Sequence, residues 1–383
     1  MGTSQRAASE TGDPLLLTPG PLTTSRTVKQ VMVHDWGSRD VEFTRINRAV
    51  LDRITAIAGG AGTHTTVPLQ GSGTFAVEAM LTNFVPRAGK VLLLINGAYG
   101  KRAAKICEVA GRAFSVLETP EDTPPDLKQL DATLQADRAI THVFVVHCET
   151  TSGILNPVPA VAEIVARHGR KLLIDAMSAF GAIALDADKV PYDALAASSN
   201  KCLEGVPGMG FIVCRIEALK ATKGNATALV LDLHDQWTSM EKNGQWRFTP
   251  PIHVIVSLHQ AIEEFLAEGG VAGRGGRYAA NCRILVDGMR ALGFRTLLPD
   301  ELQAPIIVTF HMPADPNFTF ETFYDRLKER GYVIYPGKLT VADSFRIGCI
   351  GRLNADHMRG ALAAVREILT EMGVSRCSPA QAA

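Results

Sequence analysis

Between residues 67 and 214 the chain alternates short apolar runs with stretches of helical period. The runs 67–70, 91–95, 113–117, 142–147, 171–174, 194–199 and 211–214 have strand length and end in Gly, Pro, Asn, Ser or charged residues. Helical spacing follows several of them, at 75–84, 101–111, 127–136 and 158–168. Repeated strand–helix units predict a mostly parallel sheet with right-handed crossovers and helices on its faces. Ligands of such sheets bind beyond the carboxyl ends of the strands. The residues just after each run are therefore the ones to read for chemistry.

Two adjacent runs end on opposite charges. The run at 171–174 leads into Asp175, and the run at 194–199 leads into Lys201 and a Gly/Pro turn. Neighbouring strands would deliver a carboxylate and an amine to one side of the sheet. Pyridoxal phosphate (PLP) chemistry needs that pair: the amine bonds to the aldehyde carbon, and the carboxylate keeps the ring nitrogen protonated. Taken alone the two residues also fit a blander description, an Asp helix cap and a solvated Lys. Upstream, Gly71-Ser72-Gly73-Thr74 joins a strand to a helix. The free N–H groups and dipole of a helix start suit an anion. Many ordinary helix caps share this pattern, and no Lys-Ser/Thr follows the glycines as in a Walker loop.

Composition narrows the class. The chain has 383 residues, 46% of them hydrophobic and 20% charged, enough for two or three globular domains. Lys+Arg and Asp+Glu both number 39, which argues against nucleic-acid or anionic-membrane binding. Seven Cys are scattered without a CxxC pair or a Cys/His cluster, so neither a disulfide framework nor a metal site is expected. No signal-peptide or membrane-spanning apolar run is visible, and a cytoplasmic location is expected.

Outside the alternating block, residues 1–13 and 373–383 read as disordered ends. Residues 14–280 are expected to form a large domain and 281–372 a small α+β domain, with 14–40 contributing to the small domain or the site entrance. Helical spacing covers 42–58, 253–268, 276–292, 320–330 and 354–371. The segment 232–251 is polar and aromatic and reads as one long irregular stretch. Arg39 sits in a polar segment, either solvated or reaching an anionic substrate.

Nine strings occur in order: LLLTPGPLTTSRTVK, LQGSGTFAVEAM, NGAYG, HCETTSGILNP, IDAMSAFG, SSNKCLEGVPG, QWRFTPP, YVIYPGK and FRIGCIG. Together they resemble the class-V aminotransferases of PLP fold type I, over about residues 14–372. That fold has a large domain with a mostly parallel seven-stranded sheet and a small C-terminal domain. The resemblance implies that Lys201 carries the cofactor and shuttles the proton, and that Asp175 pairs with the ring nitrogen. It implies that Ser72, Gly73 and Thr74 cradle the cofactor phosphate. Tyr99 would stack on the ring, and Thr151 would bond the ring hydroxyl. Trp246 and Thr249 would reach the cofactor of the neighbouring subunit in a homodimer. Arg346 would grip the substrate carboxylate, with Arg39 a candidate helper. The nearest branch uses 2-aminoethylphosphonate as amino donor and pyruvate as acceptor. Alanine–glyoxylate and serine–pyruvate relatives, with carboxylate donors, are the alternative. A PLP lyase would need a mobile Cys, and Cys349 lies in an expected strand instead.

Overall fold

The computed structural model describes residues 6–339 and 342–380. One sheet contains β1 (His64–Gln70), β2 (Lys90–Ile95), β3 (Ala113–Glu118), β4 (Ile140–Val146), β5 (Lys171–Asp175), β6 (Ala194–Ser198) and β7 (Met209–Arg215). Their spatial order is β1-β7-β6-β5-β4-β2-β3. All pairs are parallel except those of β7, which runs antiparallel to both neighbours. Central strands such as β2 and β6 are buried almost throughout, which accounts for their unbroken apolar sequence. The edge strand β3 has no fully buried residue and correspondingly carries Ser115 and Glu118.

Two apolar layers cover the sheet. One contains Phe43, Val50 and Ile54 of the helix Val41–Ile57, packed with Ile262 and Phe265 of the helix Ile252–Ala267. The other contains Val77, Met80 and Phe84 of the helix Gly73–Phe84. A separate core holds the C-terminal part together, with Phe294, Phe310, Phe318 and Phe345 in mutual ring contact. Its sheet has the order β8 (Ile307–His311), β10 (Ser344–Gly348), β9 (Tyr335–Pro336), all antiparallel. Leu15 and Leu17 belong to this second core, and Leu15–Leu16 pairs in parallel with Tyr332–Val333.

Four segments differ from the sequence expectation. The stretch 232–251 is not wholly irregular: Leu233–Asn243 is a helix, capped by the Asp232 carboxylate on Asp235 N–H and ended by Gly244 in the left-handed region. The helix expected from residue 276 already begins at Gly270. Its early glycines hid it, and they are needed there, because a side chain at Gly273 or Gly275 would strike the carbonyls of Glu268 or Ala182. The described parts of the two ends are also anchored. Ala7 N–H donates to Arg330 O at 3.0 Å, and Glu10 accepts from Arg352 at 3.1 Å. Ser375 donates twice to the Asp315 carboxylate, and Cys377 is buried. Single polar anchors of this kind leave no mark on composition. Residues 1–5 and 381–383 of those ends lie outside the described residues.

Candidate active site

The ends of β5 and β6 face the start of the helix Gly73–Phe84 across a cavity of about 780 Å³, open mouth included. Ser72, Gly73, Thr74, Tyr99, Asp175 and Lys201 all line it.

Asp175 is the last residue of β5 and is 4% exposed. One carboxylate oxygen accepts from Met177 N–H at 2.9 Å. Burial pushes its pKa up to about 6, and the Glu149 charge adds to the rise, against the pull of Met177 N–H and Lys201. Such a carboxylate is stabilised by a cation placed against it. Ser198 Oγ, in the same wall, is buried without a hydrogen-bond partner among the described residues.

Lys201 follows β6, and its Nζ donates to Pro19 O at 2.7 Å. Burial holds its pKa below the usual lysine value, although Tyr99, Cys202 and Asp175 oppose the shift. The turn after it is fixed from beneath. Glu204 adopts φ +60° and donates its N–H to Lys201 O at 2.8 Å. Its carboxylate accepts from Arg277 at 2.8 Å and from the Tyr278 hydroxyl at 2.5 Å. Arg274, 1% exposed, donates to Cys202 O at 2.6 Å.

The helix start forms an anion cradle. Ser72 is the N-cap, yet its hydroxyl makes no capping bond and is free for a ligand. A Cβ at Gly73 would meet the Met177 side chain, which would have to move to admit it. Arg102 donates to Thr74 Oγ1 at 3.2 Å and lies 4.9 Å from the centre of the Tyr99 ring. Arg102 escaped the sequence reading, although it stands one helical turn after Tyr99 and so shares its face.

Glu149 was also missed. It is fully buried and accepts from Thr151 N–H (3.0 Å), Thr151 Oγ1 (2.7 Å) and Tyr99 N–H (3.1 Å). Burial raises its pKa, and the Thr151 hydrogen bonds resist the rise. Thr151 Oγ1 in turn accepts from Ala98 N–H at 3.0 Å. Arg346 on β10 is 2% exposed and donates to Thr150 O at 2.7 Å and Pro336 O at 3.1 Å. Those two bonds occupy two of the five donors of a guanidinium.

Thr151 and Arg346 stand outside the cavity lining, as do Arg39 and the two residues expected at a neighbouring subunit's cofactor, Trp246 and Thr249. Trp246 donates its indole N–H to Asn47 at 3.0 Å, and Thr249 O accepts from the Gln70 side chain. Arg39 is exposed, in the turn before Val41–Ile57. Among the described residues, no group of three or more His, Cys, Asp or Glu is arranged to hold a metal ion.

The donor set fits pyridoxal phosphate. A cradle of N–H and hydroxyl groups with an arginine stands at one end, a buried carboxylate needing a cation at the other, and an amine of lowered pKa beside them. The aminotransferase class-V family model matches residues 27–340. The chain belongs to the class-V aminotransferases. A 2-aminoethylphosphonate–pyruvate transaminase of Pseudomonas aeruginosa is 56% identical over 374 residues, 98% of this chain and 99% of that one. One from Pseudomonas putida is 56% identical over 361 residues, 94% of this chain and 98% of that one. An alanine–glyoxylate aminotransferase structure from Nostoc sp. superposes with a TM-score of 0.87 at 22% identity, covering 95% of this chain and 97% of that one. A pyridoxamine–pyruvate aminotransferase from Mesorhizobium loti gives 0.86 at 24%, covering 96% and 95%. At those identities the structural likeness speaks for the fold. As a class-V aminotransferase the chain uses pyridoxal phosphate as its cofactor, in the type I fold.

Proposed function

We propose that this aminotransferase moves the amino group of 2-aminoethylphosphonate to pyruvate, giving phosphonoacetaldehyde and L-alanine in two half-reactions. The observation that carries it is 56% identity, over 98% of the chain, to a curated transaminase of that name. A cavity lined by Lys201 and Asp175 supports it, as does the buried guanidinium of Arg346 held at Thr150 O.

Bound at this site, pyridoxal phosphate supplies an aldehyde and an electron-withdrawing ring that stabilises charge on the carbon next to the amino nitrogen. Asp175 pairs with the ring nitrogen and favours its protonated form. Ser72, Thr74 and the helix N–H groups, with Arg102, hold the phosphate. Tyr99 would offer its face to the ring, and Thr151, its hydroxyl fixed by Glu149, would bond the ring hydroxyl. Lys201 Nζ, buried and of lowered pKa, would take a proton from the substrate carbon and return it elsewhere. Arg346 meets the carboxylate of pyruvate or alanine with its remaining donors, a charge-assisted bond that contributes about 1.5–3 kcal/mol.

We place the working form as a homodimer. Phe75, Leu229, Val230 and Phe248 are exposed, and Phe75, Val230 and Phe248 line one groove beside Trp246. An apolar patch there, to which the helix that starts at the anion cradle contributes Phe75, is suited to a partner subunit. Trp246 and Thr249 at its margin would then reach the partner's cofactor, and Arg39 remains a candidate helper for substrate. The domain border falls near residue 280, since Cys282 and Leu285 already belong to the second core. Seven buried free thiols suit a cytoplasmic location, and among the described residues no helix is long and apolar enough to cross a membrane.

The test is product formation. Wild type incubated with 2-aminoethylphosphonate and pyruvate should form L-alanine and phosphonoacetaldehyde in equal amounts, and Lys201→Ala should form neither. Normal turnover by that variant would contradict the role of Lys201. Transamination of alanine or serine with glyoxylate, and none of the phosphonate, would move the donor to the carboxylate relatives.

A further inference from the structure

The string YVIYPGK ends on Lys338, to which nothing above gives a task. Lys338 follows β9, whose Pro336 carbonyl anchors Arg346 Nε at 3.1 Å. Tyr335 of that strand is the register partner of Arg346. Lys338 is exposed, and its Nζ lies 5.5 Å from the centre of the Tyr99 ring. Tyr99 lines the cavity together with Lys201. Electrostatics link the same groups: Tyr99 acts on both Arg346 and Lys201, and the Lys338 charge acts on Lys201.

The chemistry of the two substrates differs at one end. A carboxylate has two oxygens and one charge, which the fork of Arg346 matches. A phosphonate has three oxygens and, with a second ionisation near neutrality as in phosphate monoesters, a charge between one and two. One buried arginine leaves part of that charge and one oxygen unmatched. A lysine is a compact point charge on a flexible stem, suited to a third oxygen without penalty when the smaller carboxylate is bound. Arg102 is less available, because it is tied to Thr74 in the phosphate cradle.

We infer that Lys338 is the second cation of the substrate subsite, the group that meets the phosphonate of the amino donor and separates it from carboxylate donors. The inference rests on the phosphonate donor proposed above. It makes donor recognition separable from acceptor recognition, with Arg346 serving both and Lys338 serving one.

The experiment compares cofactor-loaded wild type, Lys338→Met and Lys338→Arg. Three quantities are measured: KM for 2-aminoethylphosphonate, the rate of the half-reaction with L-alanine, and the Ki of methylphosphonate, an inert probe. Lys338→Met should raise the KM and the Ki about ten- to a hundredfold, the loss expected for one charge-assisted bond. The alanine half-reaction should stay within about twofold, and Lys338→Arg should recover most of the phosphonate affinity. Equal losses for alanine and phosphonate would overturn the inference, as would an unchanged methylphosphonate Ki. A wild type that uses alanine but ignores 2-aminoethylphosphonate would refute the donor assignment instead. The methylphosphonate Ki would still judge Lys338 in that case.

Discussion

The Nζ of Lys201 lies 2.7 Å from the carbonyl oxygen of Pro19. The next residue, Gly20, has φ +125°, and a Cβ built there would stand 2.7 Å from the same Nζ. The N-terminal strap therefore lies directly on the Lys201 amine, while Leu15 and Leu17 tie it to the second core. A side chain at residue 20 would be strained by that φ and would press on the Lys201 side chain. Gly20→Ala should lose turnover by about tenfold or more through displacement of the amine. It should also retain less pyridoxal phosphate through purification. Wild-type kcat in this variant would contradict the contact.

Glu149 ties the turn at Tyr99 to the turn at Thr151. It fixes the Tyr99 turn by one bond and the Thr151 turn by two, and Thr150 beside it receives Arg346. Glu149→Gln keeps the shape but turns an acceptor-only group into one that also donates. At least one buried N–H or hydroxyl should lose its partner, at about 1–3 kcal/mol. Both the Kd for pyridoxal phosphate and the KM for pyruvate should rise. Cofactor affinity is read by equilibrium titration of the cofactor-free protein, and unchanged values for both would dismiss the positioning role.

The pH dependence follows from Asp175, whose pKa is pushed up from 3.8 to about 6. A raised pKa means that the cofactor-free fold favours the protonated form. The sign is then fixed: the stability Asp175 contributes is full below about pH 4 and is lost as pH rises through about 6. Asp175→Asn removes that dependence. The Tm of the cofactor-free variant should therefore gain on the wild type by a few degrees between pH 5 and pH 7. A parallel pair of Tm curves would show that the carboxylate is not strained by burial.

Glu204 is the one non-glycine with positive φ among the described residues, and its carboxylate serves Arg277 and Tyr278. Removing one member of a buried ion pair costs about 3–5 kcal/mol. Glu204→Gln should lower the urea midpoint accordingly. It should also reduce kcat per folded molecule, because the turn after Lys201 loses its lower support. A stability loss with wild-type kcat would restrict Glu204 to a structural role.

The alternating block was legible because its central strands are buried on both faces, so burial alone wrote nearly continuous apolar runs into the sequence. Asp175 and Lys201 were legible because they stand at strand ends, where topology fixes direction. The helix Leu233–Asn243 was not, since its apolar face is only Leu233, Met240 and a partly buried Trp237 among polar residues. Glu149, Glu204 and Arg274 were equally hidden. Charged residues are read as surface unless their partners are known, and those partners lie far away in sequence, as with Arg274 and Cys202. Lys338 was quoted within a motif but had no neighbour until folding put it beside Tyr99.

The most direct measurement is the visible spectrum of the cofactor-loaded enzyme mixed with 2-aminoethylphosphonate and no keto acid. The band of the lysine-bound cofactor should bleach to that of pyridoxamine phosphate, and added pyruvate should restore it with release of L-alanine. A band that persists with the phosphonate and bleaches only with alanine or serine would contradict the proposed donor.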